Sequence, residues 1–240
     1  MKRFNWTNTR LVLMFGLVIF LFSFTSKRNE KRKLRATEVI FVEQLDPYVK
    51  QESVNKLLIE KNRDVKSIEK LTLDLRELEQ TINSQKMIKE SDVFVTIDGV
   101  LKAVVKQKTP IARVFANERS FYIDYEGGTM PLSTNFTARV PLVSGVIGSV
   151  NNEELVRLFR LIYEDDFLKK NIIGVEIMPN SSLKMYNRNF DYRIDFGNLK
   201  NAAVKFKNYK AFFQKAVLDS SLYKYKKIDL RFTDQVVCTK

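Results

Sequence analysis

Few residues in this chain could act chemically on a substrate. Asp165-Asp166 form one group of carboxylates and Asp191 with Asp195 a second, and a carboxylate pair can do general acid and base work. Adjacent residues at a helix end do not face each other, which counts against Asp165 and Asp166. Asp191 and Asp195 read onto one strand face, yet no nucleophile or phosphate loop accompanies them. Solvated carboxylates are the plainer reading. The 240 residues include no His, so Ser-His-Asp triads, Cys-His pairs and imidazole zinc ligands are excluded. The single cysteine, Cys238, rules out an intrachain disulfide, an iron–sulfur cluster and a CxxC redox pair. Eight glycines form no phosphate-cradling motif. The expectation is no catalytic residue, no metal and no cofactor.

Recognition by charge is the other chemistry available. The chain has 41 Lys+Arg against 28 Asp+Glu, for a net charge of +13. Residues 1–35 hold nine basic residues and one acid, residues 36–198 hold 22 and 24, and residues 199–240 hold ten and three. The basic character therefore lies at the two ends. A nucleic-acid binder would more often carry a basic stripe across its folded domain. Here the first basic block brackets an apolar run, which points to a membrane surface.

That run, residues 11–26, reads LVLMFGLVIFLFSFTS without a charge, with Leu11, Phe15, Val18 and Phe22 among its apolar positions. A transmembrane anchor is the favoured reading, with Arg10 snorkelling to the interface. A cleaved signal peptide is second, although Ser23-Phe24-Thr25 is a poor cleavage site. A buried core helix is third, because no polar stripe is present. Residues 1–10 form a short tail, and residues 27–35 a basic linker. Counting charges on the two flanks weakly favours the C-terminal flank on the cytoplasmic side.

Downstream, residues 39–42 read as a strand and residues 53–62 as a helix. Asp74 and Glu77, at capping-box spacing, open a second helix. Alternating runs on either side of Asp98-Gly99 read as a hairpin. This β-α-α-β-β order describes a small two-layer unit. From Pro110 short strands dominate: 111–115, 121–124, 172–177, 183–186, 192–196, and a last one over 227–232 or longer. One helix opens at Asn151. Another, over 199–217, should bury Phe206, Tyr209 and Phe213 and expose Lys205, Lys207, Lys210 and Lys215. The fold class is α+β, with one N-terminal transmembrane helix and a second domain that is mainly antiparallel β with two helices.

The stretch LEQTINSQKMIKESDVFVTIDGVLKAVVKQKTPIARVF, followed by SFYIDYEGGTMPLS, resembles the FtsQ/DivIB family of bacterial cell-division proteins. Pro141-Leu142-Val143-Ser144-Gly145 is similar to that family's P-x-x-x-G, and the terminal IDLRFTDQVV to its final strand. The resemblance implies a POTRA domain over about 36–112 and a β domain over 113–240. It also implies a single pass through the inner membrane with the N-terminus cytoplasmic and the bulk of the chain periplasmic. This orientation opposes the flank count, but large downstream domains are exported largely regardless of loop charge. The implied role is a non-enzymatic divisome scaffold at the septum, with FtsB and FtsL as partners through their periplasmic segments and other division proteins recruited by the POTRA domain. The alternative is a secreted, carboxylate-dependent periplasmic hydrolase after signal-peptide cleavage. A membrane-tethered nucleic-acid binder is a third possibility.

In the family a partner strand adds to the edge of the β domain near its last strand, by main-chain hydrogen bonds with side-chain pockets for specificity. The matching positions are Asp229, Arg231, Phe232 and Thr233, with Val236 and Val237 beyond and Tyr225 framing the surface. Arg231 could grip a partner carboxylate in bidentate fashion. An ordinary buried amphipathic strand is the plainer alternative. The loop at 62–65 and the strand near 93–96 are exposed candidates for recruitment, with no residue singled out.

Overall fold

The computed structural model describes residues 6–30, 33–42, 47–59, 68, 73–116 and 118–240. The end of the expected helix at 60–62, the candidate loop at 62–65, and Lys31 and Arg32 of the basic linker lie outside the described residues. The chain divides into two compact units, Met1–Gln107 and Lys108–Lys240. The division falls before the TPIAR segment, and Pro110–Ala116 is a strand of the second unit's sheet.

The first unit begins with helix α1, Trp6–Glu30. Its segment Thr9–Lys27 has a mean hydropathy of 1.8 and buries nothing within the structure, so it is long and apolar enough to cross a membrane. Leu11, Phe15, Val18 and Phe22 are all exposed on it. The few polar groups are handled within the helix. The Thr25 hydroxyl donates to the Leu21 carbonyl at 2.7 Å, and the Arg10 guanidinium lies 5.6 Å from the Trp6 ring centre.

The rest of the unit runs β1 (Ala36–Phe41), α2 (Gln51–Leu58), α3 (Leu75–Asn83), β2 (Ile88–Val95), β3 (Val100–Gln107). This is the β-α-α-β-β order expected. The sheet order is β1-β3-β2, with β1 parallel and β2 antiparallel to β3. Strict alternation on β3 sends Leu101, Ala103 and Val105 into a core with Val39, Val54, Leu58, Ile82 and Val93. The Asp74 carboxylate caps α3 by accepting the N–H groups of Arg76 and Glu77. At the hairpin, Gly99 takes the positive φ (+84°) that Asp-Gly turns need.

The second unit is one nine-stranded sheet. Its strands are β4 (Pro110–Ala116), β5 (Arg119–Asp124), β6 (Thr129–Met130), β7 (Leu142–Gly145), β8 (Ile172–Ile177), β9 (Leu183–Asn187), β10 (Arg193–Gly197), β11 (Lys227–Asp229) and β12 (Val237–Thr239). Their order is β12-β11-β10-β9-β8-β7-β4-β5-β6. Five pairings are antiparallel and three, β4–β7, β7–β8 and β10–β11, are parallel, so the mainly antiparallel expectation holds with a parallel minority. The parallel pairs require crossovers, and helices supply two of them. α4 (Asn152–Glu164) and α5 (Asp166–Asn171) link β7 to β8, and α6 (Ala202–Leu218) links β10 to β11.

One row of paired residues, Val114, Val143, Val175, Met185, Ile194 and Ile228, crosses the sheet and is wholly buried. It joins Leu155, Phe159, Ile162, Phe206 and Tyr209 of the helices in one core. The opposite face carries the polar partners of the same strands.

Two expectations about the helices need correction. Among the described residues the unit has three α-helices, not two: Asp165 accepts the N–H groups of Phe167 and Leu168 and so starts a separate α5. Lys205 is buried on α6 rather than exposed. Its ammonium donates to the carbonyls of Phe196 (3.0 Å) and Asn198 (2.8 Å), and burial lowers its pKa.

The open edge formed by the last two strands

The alternation Ile228, Leu230, Phe232 suggests one long terminal strand. In the structure β11 stops at Asp229, because the Asp229 side chain competes with the ladder for the chain that follows. Its carboxylate accepts the Arg231 main-chain N–H at 3.1 Å, a local bond that turns the backbone. Leu230 still donates to the Asp195 carbonyl and is buried, but Phe232 is half exposed. The chain then returns as β12, antiparallel to β11. Arg231, Phe232 and Thr233 therefore sit in the connecting turn, and Val236 leads into β12 with its side chain against the core. The Thr233 carbonyl accepts a 2.6 Å bond from the Asn208 amide, which ties the turn to α6. Tyr225 stands before β11, its ring 5.8 Å from that of Phe212.

A charge ladder covers the outer face beside this edge. Register places Arg193 beside Lys227 and Asp195 beside Asp229. Asp195 takes Arg193 at 2.9 Å and Lys227 at 2.9 Å. Asp229 takes both Arg231 nitrogens, Nε at 2.9 Å and Nη2 at 2.6 Å, and is shielded from solvent. The guanidinium hydrogen bond from Arg231 holds the Asp229 carboxyl below its ordinary range, against a smaller upward push from burial. Burial pushes Asp195 up, and Lys227 and Arg193 more than reverse it. The fork of Arg231 is thus already closed within the chain. The Arg231 side chain also lies 5.9 Å from the Phe232 ring centre.

Among the described residues, β12 ends the sheet order and is hydrogen-bonded to β11 alone, so its other side is an open edge there. Val237, at 41% exposure, and Phe232, at 48%, give this edge apolar surface. The sequence reading did not foresee β12 or the Arg193–Asp195–Lys227 cluster. The β-prone run Val236-Val237-Cys238-Thr239 was the available signal.

Two of the carboxylates considered for catalysis, Asp165 and Asp195, are committed to ion pairs within the chain. Asp165 caps α5 and pairs with Lys210. Burial raises its pKa, but the Lys210 and main-chain hydrogen bonds outweigh this and leave it lowered, the opposite of what a general acid needs. Asp191 lies in the loop before β10, off the strand face that carries Asp195. Among the described residues no group of three His, Cys, Asp or Glu side chains is placed to hold a metal ion.

A family model described as "FtsQ/DivIB, C-terminal related" matches residues 109–239, which is nearly the whole second unit. A comparison with curated proteins gives no match. The match spans more than half of the chain and ends within β12, so the sheet and its open edge are the matched domain itself. The chain belongs to the FtsQ/DivIB family of bacterial cell-division proteins.

Proposed function

We propose that this protein is a single-pass scaffold of the bacterial divisome that receives a strand of the periplasmic segment of FtsB on the open edge of β12. Through FtsB it reaches FtsL and septal peptidoglycan synthesis. α1 anchors it in the inner membrane with the N-terminus cytoplasmic and both folded units periplasmic. The β-α-α-β-β unit acts as a POTRA domain that other division proteins recognise.

The observation that carries this reading is the open edge itself. An unpaired strand edge is a template for another strand, and native proteins usually shorten, charge or cover such edges. Here β12 lies at the end of the matched domain with Val237 and Phe232 exposed beside it. Main-chain bonds along the edge would supply affinity, and alternate side chains specificity. The ladder Arg193–Asp195–Lys227–Asp229–Arg231 is internally paired, so it sets the register of the strands rather than waiting for a countercharge.

The test is photo-cross-linking of the full chain in membranes with a benzophenone amino acid at Val237. The same probe at Thr129, on the opposite edge β6, is the control. A cross-link to FtsB from 237 and not from 129, weakened by Arg231→Glu with Phe232→Ala, is the expected result. An equal yield from both positions, or none from 237, would refute strand addition at β12.

A further inference from the structure

On a different part of the second unit, three separate chain segments bring cations to one concavity. Arg139 comes from the segment between β6 and β7, Lys169 and Lys170 from α5, and Arg188 from the turn between β9 and β10. With Asp166 and Asn189 they line a cavity of about 520 Å³. None of the four cations forms an ion pair with a carboxylate among the described residues. This contrasts with Lys210, Lys227 and Arg231, each of which is paired. Four positive charges on exposed side chains surround a single carboxylate there.

Two of the cations are held in place. The Arg188 Nε donates to the Lys170 carbonyl at 2.9 Å, and the Arg188 main-chain N–H to the Asn171 carbonyl at 2.8 Å. Lys169 Nζ lies 3.9 Å from the Tyr163 ring centre, a cation–π contact that leaves its N–H donors available. A pre-positioned guanidinium loses less freedom on binding, and its planar fork fits an oxyanion. The volume is that of a small-molecule site rather than a flat protein contact.

From this we infer that the cavity lined by Arg139, Lys169, Lys170 and Arg188 binds a compact, multiply charged phosphate group. Phosphate oxygens accept from several donors at once, which matches two guanidinium and two ammonium groups supplied to one cavity by three chain segments. The same chemistry is offered by a free diphosphate and by a phospholipid headgroup.

The full chain in neutral detergent is titrated calorimetrically with inorganic pyrophosphate and, separately, with dihexanoyl phosphatidic acid, whose headgroup is a multiply charged phosphomonoester. The expected result is saturable binding of one equivalent that weakens with added salt and falls by about tenfold or more in Lys169→Gln with Lys170→Gln. The probe that binds more tightly identifies the source. Arg139→Gln, in a segment outside strands and helices, is a second variant whose fold is not at stake and should also weaken binding. Lys207→Gln, outside the cavity, should leave it unchanged. Binding equal in all variants, or no binding of either probe, would overturn the proposal.

Discussion

Arg231 reaches back two residues and closes a bidentate fork on Asp229, the last residue of β11. The same carboxylate accepts the Arg231 main-chain N–H. One side chain therefore ends the strand, turns the chain towards β12 and neutralises the guanidinium. Asp229→Asn keeps the turn bond but loses the charge. It should cost on the order of 1 kcal/mol in denaturant melts, a modest value because Arg231 is mostly in water. Asp229 and Asp195 both ionise more readily in the folded protein than the ordinary value of 3.8. Their contribution is whole above that value and is lost as pH falls through the lower folded values. Asp229→Asn should therefore flatten the loss of stability below pH 4, read as melting temperature against pH. An unchanged acid limb would show that the fork contributes nothing.

Gly145 closes β7 with φ at +91°, and a Cβ there would stand 2.1 Å from the Ile177 carbonyl oxygen. That oxygen already accepts the Val146 N–H at 2.9 Å. Gly145→Ala must therefore break the β7–β8 pairing at its end as well as strain the backbone. A loss of about 3 kcal/mol is expected. Gly148→Ala, where a Cβ meets nothing within 4 Å, should change stability little and serves as the control. Equal melting curves for the two variants would contradict this account of Gly145.

Tyr209 on α6 is the hub of a buried polar cluster. Its hydroxyl accepts from the Asn187 amide at 3.0 Å and shares a 2.7 Å bond with Tyr192. Tyr209→Phe strands both partners and should cost about 2–3 kcal/mol, whereas Tyr192→Phe leaves the Asn187 bond intact and should cost less. Burial pushes the Tyr209 phenol up to about 12 and raises Tyr192 further. The neutral phenols thus favour the fold fully below pH 10, and this contribution is lost as pH rises through the folded values. An ultraviolet titration should show these two tyrosinates forming late, together with unfolding. If all nine tyrosines titrate in one step while the protein stays folded, the burial argument fails.

The parts of the fold legible in the sequence are those with local causes. Asp98-Gly99 is a turn because glycine takes the positive φ, and Asp74 and Asn151 are caps because their side chains reach N–H groups two and three residues on. The quoted YIDYEGG run also has a local cause. Asp124 accepts the Gly128 N–H at 2.7 Å, and a Cβ on Gly128 would meet that carboxylate at 2.8 Å. What could not be read depends on partners distant in sequence. Lys205 follows the polar periodicity of its helix, yet the carbonyls of Phe196, within β10, and Asn198, just after it, draw it inwards. Phe232 continues an alternation that Asp229 ends. The pairing of β12 with β11 depends on three residues and on the turn between them.

Asp165 separates the structural from the catalytic reading of the carboxylates. Its Oδ1 accepts the N–H groups of Phe167 and Leu168, both at 3.0 Å, while Oδ2 meets Lys210 of α6. Asparagine caps a helix as well as aspartate does, so Asp165→Asn removes only the ion pair. That change should cost less than about 1 kcal/mol, since both partners are part-exposed. Asp165→Ala removes the cap as well and should cost about 1–2 kcal/mol. The Asp165 carboxyl is held below its ordinary range, so its stabilising effect is full at neutral pH and lost in acid. Asp165→Asn should converge on the parent in acid, whereas Asp165→Ala, which has no side-chain acceptor at any pH, should stay less stable. Two equal losses at neutral pH would mean that the Lys210 pair, not the cap, fixes α5, and would place the anchor between α5 and α6 rather than within the first turn of α5.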